Sequence, residues 1–212
     1  HHAVVNILEP LFDKTFIFDS YANRLNKGTT TALKRYDYFK RKMSKNGVKL
    51  PNSLDNNMVK GYVLKADIRH FFDSVNQDIL LDIINKKVRD YRVIWLVNRI
   101  LRNFDNQKVC MPLGNMTSQF FANVYLNGLD HFVKKQLKAK YYLRYVDDFV
   151  ILHKDKKFLE ECKYKIEKYL MNLRLKLHPE KSKIYSMYEG VNLLGFKVFY
   201  YYKLVRKRNV KL

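Results

Sequence analysis

The run from Tyr141 to His153 constrains this chain more than any other. Tyr141-Tyr-Leu-Arg-Tyr145 and Phe149-Val-Ile-Leu-His153 are dense in the aromatic and β-branched residues that strands favour, and Val146-Asp147-Asp148 interrupts them. The segment reads as a tight hairpin with two adjacent carboxylates, Asp147 and Asp148, at its tip. A second strand-like run, Gly61-Tyr-Val-Leu-Lys-Ala-Asp67-Ile68, ends in a third acid. Asp is a common turn residue, so a surface Asp-Asp pair is ordinarily a solvated turn. Only its company gives it chemistry.

That company is cationic. The 212 residues carry 41 Lys and Arg against 20 Asp and Glu, a formal charge of +21. The excess is spread along the chain, as on a folded nucleic-acid binder, and not gathered in a tail. A basic surface would hold a polyanion, and acids at strand ends would hold divalent metal against a reacting phosphate. Sixteen Tyr and fourteen Phe supply stacking surface, and 47% hydrophobic content is enough for one sizeable core or two small ones. No apolar run approaches the roughly 20 residues of a membrane span, no signal peptide is visible, and no basic helix has a clean apolar face. The reading is of no membrane partner. Cys110 and Cys162, like the six His, lie in no metal-ligand spacing; two separated thiols suit a reducing cytoplasm and buried packing.

Apolar spacing predicts a helix over 3–12 that Pro10 should kink or end, and a helix from Thr29 to about Ser44 with Thr29 to Thr31 offering cap hydroxyls. Residues 45–58 read as a loop and 61–68 as a strand. Helices follow at about 76–88, 90–102 and 115–138, then the hairpin at 141–153 and a helix at about 155–171. Strands at 181–187 and 191–199 come last. This order predicts an α+β fold: a split βαβ, ferredoxin-like antiparallel sheet with helices on one face. In it the first strand and the hairpin lie side by side, bringing Asp67 to Asp147.

Five short blocks occur in order: Asp67-Ile-Arg-His-Phe-Phe72-Asp73, Pro112-Leu113-Gly114-Asn115-Met-Thr-Ser118-Gln119, Tyr145-Val-Asp147-Asp148, Leu177-His-Pro-Glu-Lys181, and Asn192-Leu-Leu194-Gly195-Phe196. Together they resemble the ordered palm motifs of reverse transcriptases, across the whole chain. The resemblance implies nucleotidyl transfer to a primer copied from template RNA, with two Mg²⁺ per site (Mn²⁺ able to substitute) held by carboxylates, the hard ligands that Mg²⁺ prefers. It implies that Asp67 and Asp147 bridge the metals, that the Ile68 carbonyl completes a shell, and that Asp148, alternating to another side of the strand, supports them. Lys181 would serve the pyrophosphate leaving group. Phe72, with its neighbour Phe71 turned into the core, would be a steric gate selecting dNTPs; Asp73 would be a surface or capping residue. Leu113, Gly114 and Gln119 would lie near the incoming nucleotide. Leu194 and Gly195 would belong to a primer grip, while Arg24, Lys27 and Gly28, ahead of a helix, would hold a template phosphate.

Many reverse transcriptases have Gln before the glycine and a Ser-Pro pair further on; here stand Leu113 and Ser118-Gln119. That variant resembles the enzymes of diversity-generating retroelements, which copy RNA with errors at adenines and work with a small basic accessory protein. Other bacterial reverse transcriptases, group II intron-like or phage-defence enzymes making untemplated DNA, are the alternatives, as is a non-catalytic RNA-binding scaffold. The resemblance divides the chain into partial helical fingers (1–60), palm (61–199) and a palm end with the start of a thumb (200–212). It also implies that the chain is cut at both ends, with His1-His2 native, and that this piece alone extends primers feebly.

Overall fold

The computed structural model describes residues 2–49, 58–102, 110–111 and 116–206. His1, Leu113, Gly114 and the rest of 112–115, and residues 207–212 lie outside the described residues. In chain order the elements are α1 (His2–Asp13), α2 (Thr29–Met43), β1 (Tyr62–Asp67), α3 (Phe71–Ser74), α4 (Gln77–Asn85), α5 (Tyr91–Arg102) and α6 (Met116–His131). Then come β2 (Tyr141–Tyr145), β3 (Asp148–His153), α7 (Lys156–Asn172), β4 (Lys183–Ser186), β5 (Val191–Leu193), β6 (Phe196–Val198) and β7 (Lys203–Val205).

The central sheet is antiparallel, in the order β2-β3-β1-β4. Strand alternation sends successive side chains to opposite faces, and each face has its own core. Leu64, Ala66, Tyr142, Phe149 and Ile151 pack with apolar residues of α1, α4, α6 and α7. Val63, Leu143, Val150 and Leu152 pack instead with Tyr36 and Phe39 of α2 and with Val191, Leu193 and Val198 of the small β5-β6-β7 sheet. The expected α+β sheet is present, but helices on one face describe only half of it. The sequence between 191 and 199, expected as one strand, folds back at Leu194-Gly195. Both turn residues have positive φ, 49° and 90°, as a two-residue type I′ hairpin requires.

Other departures have local causes. Helix α1 runs through Pro10 to Asp13. Gly28, at φ 119°, is the N-cap of α2, its carbonyl accepting from Ala32 N, so the expected Thr caps are not used. Thr29 Oγ1 turns instead to Tyr145 Oη at 3.3 Å. Phe71 and Phe72 lie on a helical turn, not a strand. The expected single helix over 115–138 changes pitch at Phe132–Gln136 to a π-helical turn. Cys162 is buried as expected, whereas Cys110 is half-buried. Among the described residues no helix is long and apolar enough to cross a membrane.

One ion pair ties the sheet to its helical layer. Arg144 of β2 and Asp130 of α6 are both fully buried, joined by Nε to Oδ1 at 2.8 Å and Nη2 to Oδ2 at 2.6 Å. Tyr142 Oη donates to Asp130 Oδ1 at 2.7 Å, and the free edge of the guanidinium reaches Asn123 Oδ1 at 3.1 Å. The planar fork meets a carboxylate bidentately, the geometry that offsets desolvation best. Removing one partner leaves a buried charge uncompensated. Arg144→Met should therefore cost about 3–5 kcal/mol of stability, read as a lower urea midpoint. Arg144→Met combined with Asp130→Leu should recover much of the loss. An unchanged midpoint for the single variant would show the pair to be dispensable.

Candidate active site

Asp67 closes β1 and Asp148 opens β3, and the two are register partners. Opposed residues of an antiparallel pair point to the same face. Lys65, two residues before Asp67, shares that face, and its Nζ lies 2.9 Å from Asp148 Oδ1. From the other side Lys181 Nζ stands 3.6 Å from Asp67 Oδ1, with the lysine side chain 56% exposed. The Asp67 backbone is held at both ends: its N–H donates to Ser182 Oγ at 3.2 Å, and its carbonyl accepts from His178 N at 2.7 Å.

The hairpin turn is Val146-Asp147. Val146 has φ 55°, rare for a β-branched residue and a store of about 1–3 kcal/mol of strain. The buried guanidinium compensates, since Arg144 Nη1 donates to the Val146 carbonyl at 2.9 Å. The neighbouring Asp147 carbonyl accepts from Ile68 N at 3.3 Å, stitching the turn to the end of β1. Asp147 is thereby presented beside Asp67 and Asp148. Burial pushes its carboxyl up to about 6; the charges of Asp148 and Asp67 push the same way, while a hydrogen bond to its own backbone N–H and the Lys181 charge oppose them. Burial also raises Asp148, against the pull of Lys65 and with a further push from Asp67.

Asp67 and Asp148 open on a cleft of about 410 Å³ that brings together five of the expected residues: these two acids, Lys181, Leu194 and Gly195. Lys65, Glu180 and Arg206 line it too and were not foreseen. The signal for Lys65 was available, because i and i+2 on a strand share a face. Arg206 joins through tertiary closure, its N–H donating to the Gly195 carbonyl at 3.2 Å.

The remaining expected residues lie elsewhere. Phe72 is half-buried edge-on to the buried ring of Phe71, and its carbonyl accepts from Met111 N at 2.7 Å. Asp73 is exposed, as expected. Gln119 faces a separate cleft between α1 and α6, shared with Arg24. Arg24 turns inward: its guanidinium binds Asp13 at 2.6 Å and the carbonyls of Ile17 and Ser20, occupying the donors a phosphate would need. Lys27 Nζ sits on the Phe18 ring, 3.5 Å from its centroid, and donates to the Phe18 carbonyl. Gly28 makes the turn into α2.

The donor set fits a divalent cation. Three hard carboxylates gather where burial and mutual repulsion leave negative charge wanting a partner, and lysine ammonium groups stand in for one beside Asp67 and Asp148. As the side chains lie, no three His, Cys, Asp or Glu among the described residues are close enough to hold an ion. The two lysines would have to yield.

The pattern of the reverse transcriptase (RNA-dependent DNA polymerase) family matches residues 1–198. The chain belongs to this family. Its relatives include Protein YkfC of Escherichia coli, 23% identical over 98% of this chain and 60% of YkfC. The group II intron-encoded protein LtrA of Lactococcus lactis is 30% identical over 66% of this chain and 21% of LtrA. The chain thus spans less than two thirds of YkfC and about a fifth of LtrA. Among solved structures, the telomerase of Candida tropicalis in complex with a fragment of telomeric RNA superposes with a TM-score of 0.72 at 16% identity, covering 98% of this chain and 38% of that one. The polymerase fold is shared, and members of the family generally use divalent metal.

The Asp147 shift has a stability consequence. With a folded value of about 6, above the ordinary carboxylate, the native state holds an extra proton between about pH 4 and 6. Stability should fall as pH rises through that window and stay lower above it. In EDTA at pH 7, Asp147→Asn should therefore be more stable than the parent by on the order of 1 kcal/mol, allowing for solvent screening, with the difference gone near pH 4. Thermal unfolding midpoints at the two pH values decide this. Equal midpoints at pH 7 would show that ionised Asp147 carries no penalty.

Proposed function

We propose that this chain is the catalytic core of an RNA-directed DNA polymerase that adds dNTPs to a primer paired with template RNA. The observation that carries this is one cleft holding Asp67 and Asp148 against Lys181 and the Leu194-Gly195 hairpin, with Asp147 at the adjoining turn. Residues 61–199 act as the palm and the helical segment within 1–60 as fingers. Asp67 and Asp147 would hold divalent metal, two Mg²⁺ or Mn²⁺ in their place, with Asp148 supporting. When bound, such ions lower the pKa of the attacking hydroxyl and neutralise the leaving group.

The chain's own residues do the rest. Lys181, exposed yet within reach of Asp67, holds an ammonium where pyrophosphate departs and can give it a proton. The Leu194-Gly195 turn positions the primer terminus, its two positive-φ residues keeping the backbone tight. Phe72 meets the sugar from a ring braced by Phe71, which excludes a 2′-hydroxyl. Leu113 and Gly114 border the incoming nucleotide, and Lys27 and Gly28 the template.

The narrower proposal is a diversity-generating reverse transcriptase working with a small basic accessory protein. Leu113 and the run Ser118-Gln-Phe-Phe-Ala support it, since an apolar side chain beside the nascent pair removes a hydrogen-bonding group. Similarity to LtrA favours a second reading, a group II intron-like enzyme.

Primer extension on RNA in Mg²⁺ tests both, with the chain alone and within a polypeptide of full reverse-transcriptase length. DNA synthesis should vanish in Asp147→Asn, and product sequences should show errors concentrated opposite template adenines. Accurate copying would select the intron-like enzyme, and no synthesis from either polypeptide would overturn the polymerase reading. In the same assay Phe72→Val should lower the preference for dNTP over NTP by about tenfold or more. An unchanged preference would place the gate elsewhere.

A further inference from the structure

The acidic cleft is not the largest concavity among the described residues. A larger one, an open hollow of about 690 Å³, lies at the opposite end of the central sheet, where β1 begins and β3 and β4 end. Tyr62 at its floor is five residues from Asp67 along β1, roughly 17 Å at 3.3 Å per residue. Lys60, Lys154, Lys156 and Lys157 line it, together with Tyr62, which also packs against the core, and Tyr188, 36% exposed.

Its two acids are already committed. Asp155 caps α7 by accepting from Lys157 N at 2.9 Å, and Glu160 pairs with Lys156 at 3.8 Å. Among the described residues no carboxylate comes within ion-pair reach of the Lys60, Lys154 or Lys157 ammonium groups. A second hollow, lined by Lys45 and Val48, shares Lys60 and Lys154 with the first, so the two form one lysine-lined track. Like charges gathered around a concavity repel one another, and a bound polyanion relieves that repulsion.

We propose that this track is a second nucleic-acid site, distinct from the acidic cleft, that takes a single-stranded segment of RNA. Phosphates lie along Lys60, Lys154 and Lys157, and unpaired bases stack on Tyr62 and Tyr188. Lysines alone would serve any polyanion; tyrosine faces between them fit bases, which an acidic peptide or a lipid headgroup lacks. Stacking on tyrosine needs bases that are not paired in a duplex, which selects a single strand. The site stands whether or not the chain polymerises, because none of its residues belongs to the proposed catalytic set.

The test compares two charge-matched triple variants, since a chain of +21 binds RNA weakly everywhere. One is Lys60→Gln/Lys154→Gln/Lys157→Gln. The control is Lys14→Gln/Lys86→Gln/Lys87→Gln, exposed lysines just beyond α1 and α4 that line neither hollow. Fluorescence anisotropy with labelled single-stranded oligouridylate should show the track variant binding about tenfold more weakly than the control. Its salt slope should be shallower by roughly 0.7 for each phosphate that is no longer neutralised. Ultraviolet crosslinking of a 4-thiouridine oligonucleotide should mark Tyr62 or Tyr188 in the parent. Extension of a short primer–template, where the parent shows it, should be the same in both variants.

Equal RNA affinities for the two triple variants would overturn the proposal. So would a loss in the track variant of binding to polyglutamate, or to phosphatidylserine vesicles, with RNA binding unchanged; the surface would then serve an acidic protein or a membrane. A fall in extension with RNA affinity intact would also overturn it, by making the track part of the polymerising site.

Discussion

The buried pair of Arg144 and Asp130 is the interaction on which the rest of this structure depends. It joins β2, the outer strand of the central sheet, to α6, whose side chains are mostly buried. With its remaining donor it holds the Val146 carbonyl, and so the strained turn that presents Asp147. A fully buried guanidinium is costly unless every edge is matched. Here Asp130, Asn123, Ser20 and the Val146 carbonyl all accept from it. Ser20 belongs to the segment ahead of α2, and Asp19 and Tyr21 exchange backbone hydrogen bonds with Arg144. One side chain thus sets the relative positions of helix, hairpin and leading loop.

A second buried cation performs a similar service on the opposite face. Lys40 of α2 is 3% exposed and donates to the carbonyls of Phe199 and Tyr200 at 2.6 and 3.0 Å. These bonds anchor the chain just beyond the β5-β6 hairpin, whose turn lines the acidic cleft. Burial lowers the Lys40 pKa, and Asp37 beside it works in the other direction. The acidic cleft is therefore built between two stapled layers. Among the described residues, Lys65 and Lys181 are the cations within ion-pair reach of Asp148 and Asp67.

Much of this was legible residue by residue. Strand composition marked the hairpin, and the end of the Gly61–Ile68 run marked Asp67. The order of five motifs, each weak alone, resembled one family, and the match over residues 1–198 bears that out. The errors came where sequence proximity stood in for geometry. Arg24 sits ahead of a helix start and invited a phosphate-binding role, but Asp13 and two carbonyls occupy its donors. Gln119 follows the glycine motif closely in sequence, yet its helix carries it to another cleft. Strand alternation does not hold for Phe71 and Phe72, which lie on a helical turn, where neighbouring side chains stand about 100° apart.

By itself, then, the sequence determined most of the local elements, the three acids at the strand ends and hairpin turn, the strong excess of basic residues and the family. Each depends on residue type and short-range spacing, which a linear reading preserves. Tertiary structure alone decided which carboxylate faces which. Register sets Asp148, not Asp147, opposite Asp67, and register is a property of two strands paired across many intervening residues. It also decided that Lys65 neutralises Asp148 and that the Leu194-Gly195 turn closes the acidic cleft. Lysines from three separate segments likewise meet at the far end of the sheet only once the chain has folded.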